Sequence, residues 1–239
     1  MQSEARTDVL CTIIVPAFNE EDTIREVVER LLALPGRNQI IVVDDASTDG
    51  TPSIVEEYVP RVTLLRHAAN RGKGAAIRTA LAAAEGEVSI IQDADLEYDP
   101  NEIPRLIEPI LRGETNVVYG TRFAHGMHQG MALPNKVVNV LLRWAVALLY
   151  FRRISDEATC YKAVRTQLLR DMNLVCERFE FCPEVTAKAI RMAQPILEIP
   201  IAYTPRGKSA GKKIRWTDAV EAFWTLLRHR FSRFRRSSD

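Results

Sequence analysis

The sequence predicts an α/β fold, a mostly parallel sheet with helices on both faces. Short continuous apolar runs stand at 11–15, 40–43, 62–65 and 88–91, and between them apolar residues recur at three- and four-residue intervals. Strands buried on both faces lose the in-and-out alternation, and crossover helices supply the two covers. Composition bounds the size. The 239 residues, 46% apolar and 26% charged, suit one compact domain with a small extension and exclude disorder for most of the chain.

The first run, 11–15, leads into a helix in which Ile24, Val27, Val28, Leu31 and Leu32 share a face until Pro35-Gly36 stops it. The run 40–43 is followed by a turn at Asp49-Gly50 and a helix through Ile54 and Val55. A third strand at 62–65 precedes an alanine-rich helix at 75–84, which Gly86 ends before the fourth strand at 88–91. Beyond residue 101 the order loosens to a helix near 103–111, a strand at 117–119 and a long apolar helix after Pro134. A helix at 183–192, a strand near 196–201 and a last helix over 216–230 complete the chain. The division expected is a catalytic domain at 1–215 and a basic amphipathic helix and tail at 216–239.

Net charge is +1, but it is unevenly spread. From Arg206 to Arg236 there are ten Lys/Arg against two Asp/Glu, so the end is basic and the body acidic. Cys11, Cys160, Cys176 and Cys182 share no metal-ligand spacing, and the first residues carry acids where a secretory signal would be basic, which predicts a reduced, cytoplasmic protein. The longest apolar stretch, 137–151, contains Arg143 and falls short of the roughly 20 residues a membrane span needs. No transmembrane segment is expected. The stretch 228–236 interleaves phenylalanine with arginine, which suits the anionic surface of a membrane rather than nucleic acid.

In open parallel sheets ligands bind beyond the carboxyl ends of the strands. Those positions are unusually polar here: Pro16-Ala17-Phe18-Asn19-Glu20, Asp44-Asp45-Ala46-Ser47, Asn70-Arg71-Gly72-Lys73-Gly74 and Gln92-Asp93-Ala94-Asp95-Leu96-Glu97. Three carboxylates at alternate positions, Asp93, Asp95 and Glu97, repel one another unless a cation sits among them, and oxygen ligands suit Mg²⁺ or Mn²⁺. Arg71 and Lys73 could meet phosphate, and the free N–H groups of the helix they open also favour anions. Asp44 and Asp45 read equally as turn acids or as a carboxylate accepting a ring N–H from a nucleobase lodged between the first two strands. His67, His125, His128 and His229 show no ligand spacing and receive no role. Trp144, Trp216 and Trp224 read as packing or interface anchors.

Taken together, PAFNE at 16–20, VVDDAS at 42–47, NRGKG at 70–74, DADLE at 93–97 and GTR at 120–122 resemble the glycosyltransferase family 2 signature. Their order and spacing are similar to those of the dolichyl-phosphate mannose synthase-like branch, and the likeness continues through SDEATCYKA at 155–163, FCPEVTAK at 181–188 and YTPRGKSAGKKIRW at 203–216. The resemblance implies a GT-A fold, a Rossmann-like sheet here followed by C-terminal amphipathic helices. It implies a nucleotide-sugar donor held by Pro16, Ala17, Asn19, Glu20, Asp45, Arg71, Lys73, Asp93 and Ala94, and a metal at Asp93 and Asp95 with Glu97, where the mannose synthases usually carry glutamine. Arg122, Arg206, Lys212 and Lys213 match cations that meet donor and acceptor phosphates, and Asp156 is the nearest carboxylate to serve as a base. Cys160-Tyr161 stands where many relatives have a glycine-aromatic pair.

The expected protein is therefore an inverting, metal-dependent hexosyltransferase. It moves a sugar from GDP-mannose, UDP-glucose or UDP-N-acetylglucosamine to a polyprenyl phosphate, peripheral on the cytoplasmic face of a membrane, in cell envelope glycan synthesis. Self-association is left open. A sugar-hydroxyl acceptor is the alternative chemistry, and a nucleotide-sugar-binding module that recruits to membranes is the non-enzyme one. A haloacid dehalogenase-type phosphohydrolase would carry its D-x-D on the first strand, and a dinucleotide-binding dehydrogenase would need G-x-G-x-x-G where Pro16 stands.

Overall fold

The computed structural model describes residues 9–123, 133–204 and 216–232. Its centre is β1, Cys11–Ala17, whose CTIIVPA sequence is buried along almost its whole length. Both neighbours are parallel to it: β2, Asn38–Asp44, on one side and β4, Val88–Ile91, on the other. Strand β3, Thr63–Arg66, extends the sheet beyond β2. The full order is β3-β2-β1-β4-β6-β5-β7, where β5 is Val117–Thr121, β6 Lys162–Arg165 and β7 Ile196–Pro200. The chain adds strands outward from β1 and then returns to place β4 on the opposite side. That reversal opens a crevice at the carboxyl ends of β1 and β4.

Helices cover the two faces for the reasons their periodicity gives. Helix α1, Ile24–Leu32, buries Ile24, Val27, Val28 and Leu31 and leaves its glutamates and arginines outside. Helix α2, Thr51–Glu56, is short, with proline in its first turn. Helix α3, Lys73–Ala82, buries Ala75, Ala76, Ile77 and Ala80, small residues that let its axis lie close to the sheet. Helix α4, Ile103–Leu111, buries Ile103, Leu106, Ile107 and Ile110.

Strand β6 and the short helix α6, Thr166–Asp171, are absent from the sequence reading. Strand β6 is antiparallel to both β4 and β5 and carries Lys162 and Arg165 within four residues, so no apolar run marks it. It brings the 155–161 segment beside the end of β4.

The remaining helices pack together. Helix α8, Trp216–Phe231, lies against α5, Leu133–Tyr150, and α7, Phe181–Arg191, with the Tyr150 hydroxyl donating to Leu226 O at 2.7 Å. Leu142, Ala145 and Val146 of α5 enter the core, while Val137, Leu141, Trp144, Leu148 and, just past the helix, Phe151 are 50–82% exposed. Val220, Phe223, Trp224 and Phe231 on α8 are exposed as well. No helix among the described residues is long and apolar enough to cross a membrane.

Candidate active site

The loops after β1, β2 and β4 each contain a non-glycine residue in the left-handed region: Asn19 (φ 52°), Ala46 (φ 63°) and Leu96 (φ 57°). Such backbone is costly unless its surroundings hold it, and it concentrates at functional sites. Here the loops hold one another. Asn19 N–H donates to Ser47 Oγ at 2.9 Å, Thr48 N–H to Asn19 Oδ1 at 2.8 Å, and Glu20 N–H to Thr51 Oγ1 at 2.8 Å. Pro16 and the buried Ala17 end β1, and Ala17 O accepts the N–H of Asp45 at 2.9 Å. Thr23 Oγ1 donates to Ala94 O at 2.6 Å, tying the start of α1 to the D-x-D loop across the crevice.

Asp45 is 3% exposed. Its Oδ1 accepts Arg71 N–H at 2.9 Å and contacts His67 Nδ1 at 2.6 Å, and its Oδ2 accepts Gly72 N–H at 2.7 Å. His67 Nε2 in turn meets Thr79 Oγ1 at 2.9 Å. Both carboxylate oxygens are bonded within the protein, and through them Asp45 shapes the 70–74 loop. His67, given no role by its sequence context, is part of that support. A histidine three residues before N-R-G-K-G is a signal only once the fold has placed it beside Asp45.

The start of α3 also differs from the sequence expectation of open amides. Gly74 N–H donates to Arg178 O and Ala75 N–H to Glu177 O, each at 3.0 Å, and Ala76 N–H donates to Gly72 O at 3.1 Å. With Arg71 and Gly72 N–H already on Asp45, most amides of this stretch are committed. What reaches the crevice is side chain. Arg71 is exposed, and Lys73 Nζ lies 2.5 Å from Asp93 Oδ1 and 3.4 Å from Cys160 Sγ. Burial alone would lower the Lys73 pKa, but the Asp93 charge outweighs it and holds the ammonium well above its ordinary value. Burial raises the Cys160 and Cys182 pKa values, which keeps both as neutral thiols.

The D-x-D loop is braced from behind. Gln92 is fully buried, donates to Asp93 O at 3.0 Å and accepts from the Tyr161 hydroxyl, which also donates to Asp99 O at 2.8 Å. Tyr98 packs on Tyr161 and Tyr203 with ring centroids 4.8 and 5.5 Å apart. Glu97 has an aromatic partner of its own. Its Oε2 accepts the Tyr203 hydroxyl at 3.0 Å, and among the described residues no three His, Cys, Asp or Glu side chains form a ready metal cage. The set is Asp93 and Asp95, two part-exposed carboxylates, one already seating an ammonium. That set fits a hard divalent ion that takes its other oxygens from a diphosphate.

Arg122 and Asp156 depart furthest from expectation. Asp156 is 0% exposed; its Oδ2 accepts the backbone N–H and Nε–H of Arg122 at 2.9 and 2.7 Å, and its Oδ1 accepts Nη2 at 2.7 Å. The guanidinium lies over Tyr203 (5.1 Å), Phe123 (5.2 Å) and Tyr98 (5.9 Å). In this arrangement both carboxylate oxygens and the guanidinium are engaged within the protein. Arg206, Lys212 and Lys213 lie outside the described residues. The described chain reaches Thr204, whose N–H donates to Glu97 O at 3.0 Å.

A family model described as "Glycosyl transferase family 2" matches residues 12–172. The chain is 27% identical to a dolichol-phosphate mannosyltransferase of Pyrococcus furiosus, covering 84% of this chain and 58% of that protein. It is 29% identical to a UDP-N-acetylglucosamine–dolichyl-phosphate N-acetylglucosaminyltransferase of Methanococcus voltae, covering 87% and 91%. A third relative, the undecaprenyl-phosphate 4-deoxy-4-formamido-L-arabinose transferase of Pseudomonas fluorescens, is 31% identical over 82% of this chain and 57% of its own. The chain thus spans little more than half of the first and third. Glucosyl-3-phosphoglycerate synthase of Mycobacterium tuberculosis, solved with Mn²⁺, UDP and glucosyl-3-phosphoglycerate, superposes with a TM-score of 0.72 at 21% identity, covering 92% of this chain and 80% of that one. The GT-A architecture is therefore the fold.

Proposed function

Since the chain belongs to glycosyl transferase family 2, we propose that it transfers a hexosyl group, with inversion, from a nucleotide-diphosphate sugar to a polyprenyl phosphate. The relatives named for polyprenyl-phosphate acceptors support this choice. The observation that carries it is the burial of Asp156. A sugar-hydroxyl acceptor needs a base within about 3 Å of its proton, and the carboxylate expected to serve is enclosed against Arg122. A lipid phosphate, with a second pKa near 6, arrives mostly ionised and needs none.

The donor lies over the ends of β1 and β4. Its diphosphate meets Lys73 and Arg71, while Asp45 and His67 hold their loop and Thr23 fixes the D-x-D loop through Ala94. Asp93 and Asp95 would hold Mg²⁺ or Mn²⁺, which would supply positive charge on the side of the leaving diphosphate. An acceptor phosphate oxygen bonds to the anomeric carbon as the bond to the diphosphate breaks. Preorganised cations at the departing side stabilise that charge without reorganising at the moment of reaction. Arg206, Lys212 and Lys213 orient the acceptor phosphate.

The exposed stripes of α5 and α8 support a place on the cytoplasmic surface of a membrane. They carry large apolar side chains beside exposed Arg143, Arg152, Arg153, Arg228 and Arg230, the pairing that suits an anionic interface. The deciding experiment offers GDP-mannose, UDP-glucose and UDP-N-acetylglucosamine with polyprenyl phosphate and either ion, and scores lipid-linked sugar. Transfer to a sugar hydroxyl with none to the lipid phosphate would replace this reading. Nucleotide binding with no sugar release would make the protein a binding module.

A further inference from the structure

The FCPEVTAK segment has no task in the reaction above, yet it sends two charged side chains inward. Glu184 and Lys188, one turn apart on α7, are 0% and 4% exposed and pair with each other. Glu184 also accepts the N–H groups of Val175 and Cys176 at 2.9 and 2.7 Å, and Lys188 donates to Asn173 O at 2.9 Å. His229 of α8 stands 3.6 Å from Glu184.

The loop so held grips the donor loop. Its carbonyls at Glu177 and Arg178 accept the N–H groups of Ala75 and Gly74. The contact has no slack: a Cβ on Gly72 would come within 2.4 Å of Glu177 O, and Gly72 has a φ of +94°. Lys73, between these glycines, carries the ammonium on Asp93. Continuous contact therefore runs from a buried ion pair to the diphosphate-binding lysine.

We infer that Glu184 and Lys188 are positioning residues for donor binding, fixing loop 173–178 as the stop against which 72–75 is set. Stability alone does not explain the charges, because well-packed apolar side chains replace buried ion pairs without loss in many proteins. What apolar groups cannot do is bind three main-chain groups of one loop. A cavity of about 430 Å³ between that loop and α8, bordered by Cys176, Glu177, Arg178, Trp224 and Arg228, leaves room for the loop to shift once released.

The inference rests on reading Lys73 and Asp93 as donor contacts, so its test has one arm independent of turnover. Glu184→Gln and the charge-free double variant E184L/K188M are compared with wild type by amide hydrogen exchange and steady-state kinetics. Exchange at Gly74 and Ala75 should quicken about tenfold while β1 and β2 stay protected. Donor KM should rise about tenfold, with kcat within about threefold and acceptor KM unchanged. A merely structural role would lower the active fraction and so kcat, leaving KM alone. Unchanged exchange at Gly74 and Ala75 in a folded variant overturns the inference, as does a fall in kcat at constant donor KM. If Glu184→Gln does not fold, the double variant decides. If wild type turns over no nucleotide sugar, the proposed function fails while the exchange arm still decides the latch.

Discussion

Asp156 and Arg122 satisfy each other through three hydrogen bonds of 2.7–2.9 Å, in a site where the carboxylate has no contact with solvent. Removing one partner of such a pair strands the other in a medium that cannot hydrate it. Asp156→Asn should therefore destabilise the fold by about 3–5 kcal/mol, read by denaturant melting. The folded fraction should keep the pH dependence of kcat seen in wild type. Loss of the acid limb from that profile would restore Asp156 as the proton acceptor.

Lys73 occupies Asp93, and the proposed divalent ion would compete with it when no donor is bound. Lys73→Met should tighten Mn²⁺ binding to the free protein and yet lower kcat/KM by about 10–100-fold, since the ammonium's service to the leaving diphosphate is lost. Isothermal titration with Mn²⁺ alone, beside turnover, checks both signs. Weaker Mn²⁺ binding would remove Asp93 from the metal set.

His67 bears on donor affinity through Asp45. His67→Ala leaves one carboxylate oxygen short of a donor and loosens Arg71 and Gly72, and a rise in donor KM of about fivefold to tenfold is expected. Donor titration against a fixed acceptor measures it. An unchanged KM would show that the two backbone N–H groups suffice.

Glu157 predicts a pH trend in stability. It is 1% exposed, and among the described residues neither carboxylate oxygen has a partner at hydrogen-bond geometry. Burial raises its pKa above the ordinary value, against the opposing pull of Lys162. A raised carboxyl binds its proton more tightly folded than unfolded, so stability falls as pH rises from the unfolded pKa of about 4.3 through the folded one. Glu157→Gln should therefore gain on wild type in Tm as pH goes from 5 to 8. A gap that narrows over that interval would show the carboxylate to be ionised and paired.

The α5 stripe tests the membrane assignment. Leu141→Ser with Leu148→Ser should cut partition into anionic vesicles by about tenfold or more, given the burial value of a leucine side chain, and have little effect with neutral vesicles. Cosedimentation reads this. A drop in oligomeric mass without a change in vesicle binding would instead make the stripe a contact between copies of the chain.

The sheet centre is legible because β1, β2 and β4 are mostly buried and therefore mostly apolar, and Val88–Ile91 falls where its run predicts. The same logic hides β6, four residues that include Lys162 and Arg165, the first held by the nearby Glu157 carbonyl and the second by Glu87, 78 positions away. The polar strand ends announce a site, but side-chain loyalties within it do not follow from spacing. Asp45 is bound 22 to 27 residues away, Arg122 is bound 34 away, and the α3 amides are capped by carbonyls about a hundred positions on. The bond from the Tyr203 hydroxyl, three residues past β7, to Glu97 Oε2 is another that spacing does not reveal.

The pressed contact at Gly72 also limits how this scaffold can be retargeted. Any side chain there meets the carbonyl of Glu177, so a library that varies the whole N-R-G-K-G motif would mostly yield misfolded clones. Diversity aimed at a new sugar nucleotide belongs instead at Thr48 and Asn70, exposed residues of the loops after β2 and β3.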